Sequence, residues 1–358
     1  MKRRFIIFLL LIRGLSVFSQ ELVYQAGVHN FFDNNEFGGC TVGDSQTMAG
    51  VHFVPRIGLS WQSKHRFFAG IDVMHEYGSD LPVGYYDPLA YYEYDGHPFR
   101  FYMGAFPRKQ ALDKYPLFFF QDSIRNYRPT INGFFWEYYS DKGDYFNLWL
   151  DWVSRQTLIR RESFFMGWSG RYNHGPVYGQ HFGYVRHFAG VGDLAHHTPV
   201  RDITRLWTAV GVDFASKTGM DALDINAGWA VGLDRDRATT DGWHVAQGLL
   251  SEIRVEYRGL GIFNTYYKGG SQSKFYNEFA CELYWGDRIY RAKHYDRFDG
   301  YLYFFKTDAV TLKFVYTLHF VSPGVFNEQQ LYATIDLDRP KKNNTGKRYR
   351  YLWDNWFK

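Results

Sequence analysis

The sequence predicts an all-β chain, folded as a transmembrane antiparallel β-barrel of about sixteen strands (14 to 18), with short periplasmic turns and long extracellular loops. Side chains alternate between apolar and polar with a period of two along most of the chain. Aromatic residues make up 20% of the sequence, although its mean hydropathy is only −0.39. Short turns also alternate with long connections. A barrel needs an apolar outer face, aromatic girdles and loops that differ between its two ends, which matches all three observations.

The alternation is clear in individual segments. Between residues 223 and 234, apolar side chains stand at every odd position, and most even positions are polar or glycine. Pro55 lies inside one candidate strand and cannot donate a ladder hydrogen bond, so a bulge or break is expected there. Read in this way, the candidate strands are 23–32, 46–61, 65–77, 88–94, 98–107, 131–139, 144–155, 162–173, 176–188, 205–216, 221–234, 248–257, 260–268, 297–306, 309–320 and 325–337.

The connections support a closed barrel because short and long ones alternate along the chain. Short turns such as Asp95-Gly96, His174-Gly175 and Arg258-Gly259 alternate with much longer loops. All the long loops therefore lie at one end of the barrel, which a soluble β-sandwich would have no reason to arrange. The long loops are residues 33–45, 78–87, 108–130, 189–204, 235–247 and 269–296.

The beginning of the chain has the order of features that a signal peptide shows. Basic residues at Lys2, Arg3 and Arg4 precede the apolar run 5–12, and Val17 and Ser19 are the small residues of a cleavage site. We therefore expect a cleaved signal peptide at 1–19, the barrel at 20–338 and a basic, aromatic C-terminal tail at 339–358. The tail is an alternative place for the strand that closes the barrel.

The charge balance excludes some partners. Removing residues 1–19 takes away four of the 41 basic residues and none of the 37 acidic ones, so the mature chain is neutral. A nucleic-acid partner is not expected for such a surface. The sequence has no phosphate-binding glycine loop and no metal-ligand spacing, so neither a cofactor nor a metal is expected.

On its signal peptide, alternating strands, aromatic bands and loop parity, the chain resembles the outer-membrane porin-type barrels of Gram-negative bacteria, in particular their aromatic-rich, functionally uncharacterised branch. The resemblance implies a place in the outer membrane, among its lipid and lipopolysaccharide, and transfers no catalytic residue. A barrel of about sixteen strands leaves an aqueous lumen. We therefore expect a channel for small hydrophilic solutes, including anionic ones, and no enzymatic activity; the oligomeric state is left open.

Polar residues on the inward faces of the strands are expected to line the lumen. Because their charges are of both signs, they could instead pair with one another and close it. The expected lining residues are Arg66, Asp72, Arg100, Asp151, Arg155, Arg171, Arg254 and Glu256.

The third long loop is the expected constriction of the channel, because in porin-type barrels this loop commonly folds inward. Its basic residues outnumber the acidic Asp113 and Asp122, so it would favour anions. Its apolar run 118–120 needs burial, and a solvated loop with a hydrophobic anchor is the alternative. The basic residues are Arg108, Lys109, Lys114, Arg125 and Arg128.

The loop 269–296 offers a second hypothesis, a barrel that binds or handles glycans at the cell surface. Tyr284, Trp285 and Tyr290 lie among charged residues and could stack on sugars, or else stiffen the loop by packing within it. Cys281 in this loop and Cys40 in the first long loop lie at the same end of the barrel, so one disulfide is an open alternative.

A barrel enzyme that acts on lipid is the third hypothesis, with weak candidate residues. Ser169 lies within a strand, not on a nucleophile turn. The adjacent pair His196 and His197 lacks a third ligand, and Asp234 and Asp236 are flanked by arginines that neutralise them. Residues far apart in sequence can still form a catalytic site, so this hypothesis stays open.

Overall fold

The computed structural model describes residues 20–193, 198–307, 309–339 and 351. The predicted signal peptide and nearly all of the predicted tail lie outside them. The strands are β1 (Glu21–Glu36), β2 (Gln46–Trp61), β3 (His65–Glu76), β4 (Tyr85–Gly96), β5 (Phe99–Pro107), β6 (Thr130–Tyr139), β7 (Tyr145–Ser154), β8 (Ser163–His174), β9 (Val177–Phe188), β10 (Arg201–Asp213), β11 (Ala222–Asp236), β12 (His244–Tyr257), β13 (Leu260–Gly269), β14 (His294–Lys306), β15 (Val310–Val321) and β16 (Gly324–Arg339).

These sixteen strands form one closed antiparallel barrel in chain order, which confirms the predicted fold. The barrel closes where β1 pairs with β16, with Tyr24 opposite Arg339 and Glu36 opposite Asn327. The closing strand is therefore the one predicted at 325–337, not the tail. Closure leaves no unpaired sheet edge, as a β-structure in lipid requires.

The structure corrects the expectation of a break at Pro55. The strand β2 continues through it, since its pairing with β3 has the same register at Phe53 and at Arg56 and only omits the two residues between them. Bulges occur instead in β7 between Trp152 and Ser154 and in β14 between Tyr303 and Phe305. A missing donor thus costs less here than a shift of register, which would turn every side chain of the strand to the other face.

Two strands begin four residues earlier than predicted, β10 at Arg201 and β12 at His244. The first residues of β10 are held by charge pairs, with Arg201 bonded to Asp236 at 2.8 Å. Such polar strand ends carry no apolar alternation, so the sequence pattern could not reveal them.

Three short helices lie in the long loops: α1 (Lys109–Leu112), α2 (Asp122–Tyr127) and α3 (Tyr276–Leu283). Among the described residues, no helix has the length and apolar character needed to cross a membrane. The helices belong to two loops that fold into the barrel, residues 108–129 and 270–291, which together we call the plug.

Backbone hydrogen bonds join the two loops of the plug. The amide of Gln121 donates to the carbonyl of Trp285 at 2.8 Å, and the amide of Asp287 donates to the carbonyl of Leu117 at 2.8 Å. The plug is apolar inside: Phe118, Phe119, Phe120, Tyr115, Trp285 and Tyr290 are each at most 3% exposed. They pack against the inward-facing Trp149, Phe165, Phe182 and Tyr184 of β7, β8 and β9. The predicted burial of the run 118–120 is met inside the lumen.

Below the plug lies a cavity of about 1430 Å³ that reaches the periplasmic turns. Its lining includes Lys109, Lys114 and Arg125 of the plug and, at the other end, Lys142 and Asp221 beside the short turns. The lumen is therefore a vestibule that opens toward the periplasm and ends at the plug.

Gly286 should be essential to the plug, because a Cβ atom there would lie 2.2 Å from the carbonyl oxygen of Phe118. Substitution Gly286→Ala must push the two loops apart, so we expect a loss of about 1 to 3 kcal/mol in the free energy of unfolding. Thermal unfolding of the refolded barrel measures it. Gly38→Ala is the control, because its Cβ would have no atom within 4 Å. Equal stability of the two variants would contradict the described packing of the plug.

Candidate functional site

Arg108, predicted to line the constriction, is a buried anchor of the plug. Its guanidinium donates to Asp151 on β7 at 2.6 Å and to the carbonyls of Arg128 and Thr130 at 2.7 and 2.9 Å. It also lies over the ring of Trp285, with its central carbon 5.0 Å from the ring centroid. These contacts fix the loop to the barrel wall.

The other predicted constriction residues lie on the exposed surface of the plug. Lys114 lies over the ring of Tyr145 at 3.8 Å, and Arg125 donates to the carbonyl of Tyr115 at 2.7 Å. Lys109 and Arg128 are exposed. Lys109, Lys114 and Arg125 line the cavity below the plug, and the apolar interior of the plug packs against the wall behind them.

Most of the predicted lumen residues face inward in charge pairs, as the closed-lumen alternative describes. Arg155 differs, since it is exposed beyond the end of β7 and not on a strand. The pairs are Arg66 with Glu93 at 2.6 Å, Asp72 with His52 at 2.7 Å, Arg100 with Glu137 at 3.2 Å, Asp151 with Arg108 at 2.6 Å, Arg171 with Asp213 at 3.6 Å, and Arg254 with Glu256 at 3.1 Å.

The residues predicted to bind glycans are not at the surface. Tyr284, Trp285 and Tyr290 are 2 to 3% exposed, because their loop folds into the lumen. The loop-packing alternative describes them correctly. Cys40 and Cys281 are both free thiols, so the disulfide does not form.

The candidate enzyme residues named from sequence are not assembled into a site. Ser169 is buried in the lumen wall and donates to Asn147 at 3.0 Å. Asp234 and Asp236 pair with Arg205 and Arg201. His196 and His197 lie outside the described residues.

Another set of polar side chains stands on the outside of the barrel, where the wall meets lipid. Elsewhere on β1 this face is apolar, with Leu22 61%, Tyr24 46% and Phe32 39% exposed. Polar groups on a lipid-facing wall are costly, so a group of them suggests a function. We call this group the lateral patch; it comprises Asn30, Asn34 and Glu36 on β1, Thr47 on β2, His75 and Tyr77 at the end of β3, and Gln329 on β16.

Asn34 is the centre of the lateral patch, since it lies opposite Gln329 on one side and Thr47 on the other. Its amide nitrogen donates to Glu36 at 2.9 Å and to Gln329 at 2.8 Å, and its amide oxygen accepts from the Thr47 hydroxyl at 2.6 Å. The network fixes these side chains at the extracellular end of the wall, where β1 ends.

Asn30 and His75 form the second part of the patch. Val51 lies between them in register, opposite Asn30 on one side and His75 on the other, so their Cα atoms are about 10 Å apart. The Asn30 amide donates to the Tyr77 hydroxyl at 2.6 Å. The Nδ1 atom of His75 is buried without a hydrogen-bond partner.

These groups have the chemistry that ester hydrolysis needs. An imidazole can take a proton from water, and the amide N–H of Asn30 and the O–H of Tyr77 can donate to an oxyanion. Among the described residues, no three His, Cys, Asp or Glu side chains are placed to hold a metal ion.

Sequence reasoning missed every member of the lateral patch, because it looked for function only among inward-facing residues and loops. A signal was present in β1. Its even positions are apolar from Leu22 to Val28, and then Asn30, Asn34 and Glu36 interrupt them.

The chain was compared with known proteins. A family model described as "Lipid A 3'-O-deacylase-type" matches residues 16–344. A loop-deletion mutant of OmpT, an outer membrane protein of Vibrio cholerae, has a similar structure at 9% sequence identity, with a TM-score of 0.53 over 89% of this chain and 100% of that one. OccK5 (OpdH) of Pseudomonas aeruginosa matches at 8% identity, with a TM-score of 0.47 over 89% and 98%. A search of functionally curated proteins gives no match.

The structural likeness to OmpT supports the outer-membrane barrel fold and no more. The family match overturns two expectations: the prediction of a transport channel is wrong, and so is the prediction that the protein is not an enzyme, because a deacylase is a hydrolase. The structure gives the physical reason. Arg108 of the predicted constriction anchors a plug whose buried apolar side chains pack against the inner wall of the barrel.

The refolded barrel should therefore conduct no discrete ion current in a planar bilayer, because an apolar, close-packed plug excludes hydrated ions. Single-channel recording at high salt is the measurement. Stepwise currents from the intact protein would show that the plug is displaced in the membrane.

Proposed function

Because the chain belongs to the lipid A 3′-O-deacylase-type family, we propose that it hydrolyses an ester-linked acyl chain of lipid A in the outer membrane, with the lateral patch as its active site. The observation that supports this assignment is the position of the patch. It faces lipid at the extracellular end of the barrel, so a lipid can reach it by lateral diffusion. By contrast, the wall and the plug separate the polar side chains of the lumen from the lipid of the outer leaflet.

The proposed reaction uses the space over Val51. An ester carbonyl placed there lies between Asn30 and His75, and His75 takes a proton from the attacking water. The Asn30 amide and the Tyr77 hydroxyl donate hydrogen bonds to the oxyanion. When the acyl–oxygen bond breaks, the proton returns to the leaving sugar oxygen, and the products are a fatty acid and a free hydroxyl group.

The plug supports the patch from behind. The loop that links Glu36 to Thr47 is held by Arg288, which donates to Asp44 at 2.6 Å, and by Arg291, which donates to the carbonyl of Val42 at 2.8 Å. A catalytic group on a strand with such support keeps its position better than one on a free loop.

The variants His75→Ala and Asn30→Ala test the site. We expect His75→Ala to lower the deacylation rate by about 10²- to 10⁴-fold, as loss of a general base does. Asn30→Ala should lower it by about 10²- to 10³-fold, as loss of an oxyanion donor does. The assay is mass spectrometry of lipid A, which loses the mass of one acyl chain. His294→Ala is the control, because His294 is likewise a histidine at the extracellular end of a strand, although it is more exposed than His75. Full activity in both patch variants would place the site elsewhere, and an inactive wild type would refute the function.

The substitution Ser169→Ala tests whether the reaction takes place on the outer wall or in the lumen. Because Ser169 is buried in the lumen wall and bonded to Asn147, we expect its alanine variant to deacylate lipid A at the wild-type rate. The same mass-spectrometric assay applies. A loss of activity without a loss of thermal stability would move the reaction into the lumen.

A further inference from the structure

A row of aligned side chains crosses five strands on the other side of the barrel. Seven strands separate β9 from β1 in either direction around the barrel. Each side chain of the row belongs to a residue that is paired directly with the next one on the neighbouring strand, so all five lie at about the same height in the wall. We call this the interface row: Trp152 on β7, Phe164 on β8, His187 on β9, Asp202 on β10 and Arg235 on β11.

The row faces outward at the extracellular end of the wall. On β9 the neighbours of His187, Arg186 and Phe188, are buried toward the lumen, so His187 points to the outside. Trp152 is 43% exposed, and Phe164 stacks on it with 5.2 Å between ring centroids. Aromatic residues in such a band mark the boundary between the acyl chains and the headgroups.

Positive groups outnumber negative ones at this level of the wall. The Asp202 carboxylate interacts with His187 at 3.1 Å and accepts from Arg237 at 2.6 and 3.0 Å. Arg235 lies over the ring of Trp243 at 5.8 Å, and it has no carboxylate partner among the described residues. One carboxylate thus faces two guanidinium groups and an imidazole, which leaves a positive site at headgroup level.

From this arrangement we infer a second lipid-binding site, in which Arg235 and Arg237 hold the phosphate of a phosphorylated glycolipid of the outer leaflet. The guanidinium of Arg235 presents paired N–H donors that match phosphate oxygens, and Arg237, whose Nε and Nη2 donate to Asp202, adds the donors of Nη1. Asp202 fixes Arg237 in place, while the exposed ring of Trp152 in the same row faces the lipid. The site is across the barrel from the lateral patch and does not depend on the proposed reaction.

Binding of lipid A to the intact barrel tests the inference. The barrel is placed in phosphatidylcholine nanodiscs that contain phosphorylated lipid A or the same lipid after removal of its phosphates, and bound lipid is counted by native mass spectrometry. We expect the double variant Arg235→Gln, Arg237→Gln to bind the phosphorylated lipid at least about tenfold more weakly, as loss of hydrogen bonds to a charged group does. Arg235→Gln alone removes no ion pair, so it should fold normally and show part of the loss.

Lys268→Gln is the matched control, because Lys268 is an exposed cation at the extracellular end of β13. It should bind like the wild type. Equal binding by the double variant, or equal binding of the dephosphorylated lipid, would overturn the inference. Displacement of the lipid by millimolar inorganic phosphate would also overturn it, because the row would then be a site for free anions.

Discussion

The packing of Trp285 inside the barrel is the interaction on which the rest of the structure depends. Its ring lies between the guanidinium groups of Arg108 and Arg186, at 5.0 and 5.1 Å, and packs on Phe165 at 4.6 Å. Its carbonyl accepts from Gln121 of the other plug loop. A barrel of sixteen strands is too wide for its own wall side chains to fill. One residue thus joins both plug loops to two strands of the wall, β8 and β9.

Closure by an apolar plug determines how charges can exist in the lumen. A buried ion pair persists only when its partners are close and their other hydrogen bonds are satisfied. Arg205 therefore pairs with Asp234 at 2.8 Å, and Arg186 donates to the carbonyls of Leu283 and Glu282 at 2.7 and 2.8 Å. The Arg205–Asp234 pair joins two neighbouring strands of the wall, whereas the Arg186 hydrogen bonds fix the loop 270–291 to β9.

The strands could be predicted from sequence because a barrel wall imposes a period of two on every segment, and that pattern is local. The positions of the loops could not be predicted from sequence. Tyr284 and Trp285 stand among charged residues, and the same composition suits a sugar site or a packed loop. Only their contacts in the lumen decide, Trp285 with Phe165 and Arg186 and Tyr284 with Arg205. The lateral patch was missed for a related reason, since an asparagine in an alternating strand reads equally well as inward-facing. Asn30 faces outward because its neighbour Phe31 on β1 is buried toward the lumen.

The closed lumen and the polar outer wall together determine how a substrate must arrive. A lipid ester needs apolar surroundings for its acyl chain and water for its cleavage, and both are present only near the edge of the bilayer. Phe32 lies on the outer face of β1 between Asn30 and Asn34, so an aromatic ring separates the part of the patch nearer the acyl chains from the part nearer the solvent. An acyl chain can lie along Val28 and Ala26 below while the sugar rests against Asn34 and Glu36 above. In the mechanism that we propose, the plug supports the patch without contacting the substrate, because it holds the loop that follows Glu36 from inside the barrel.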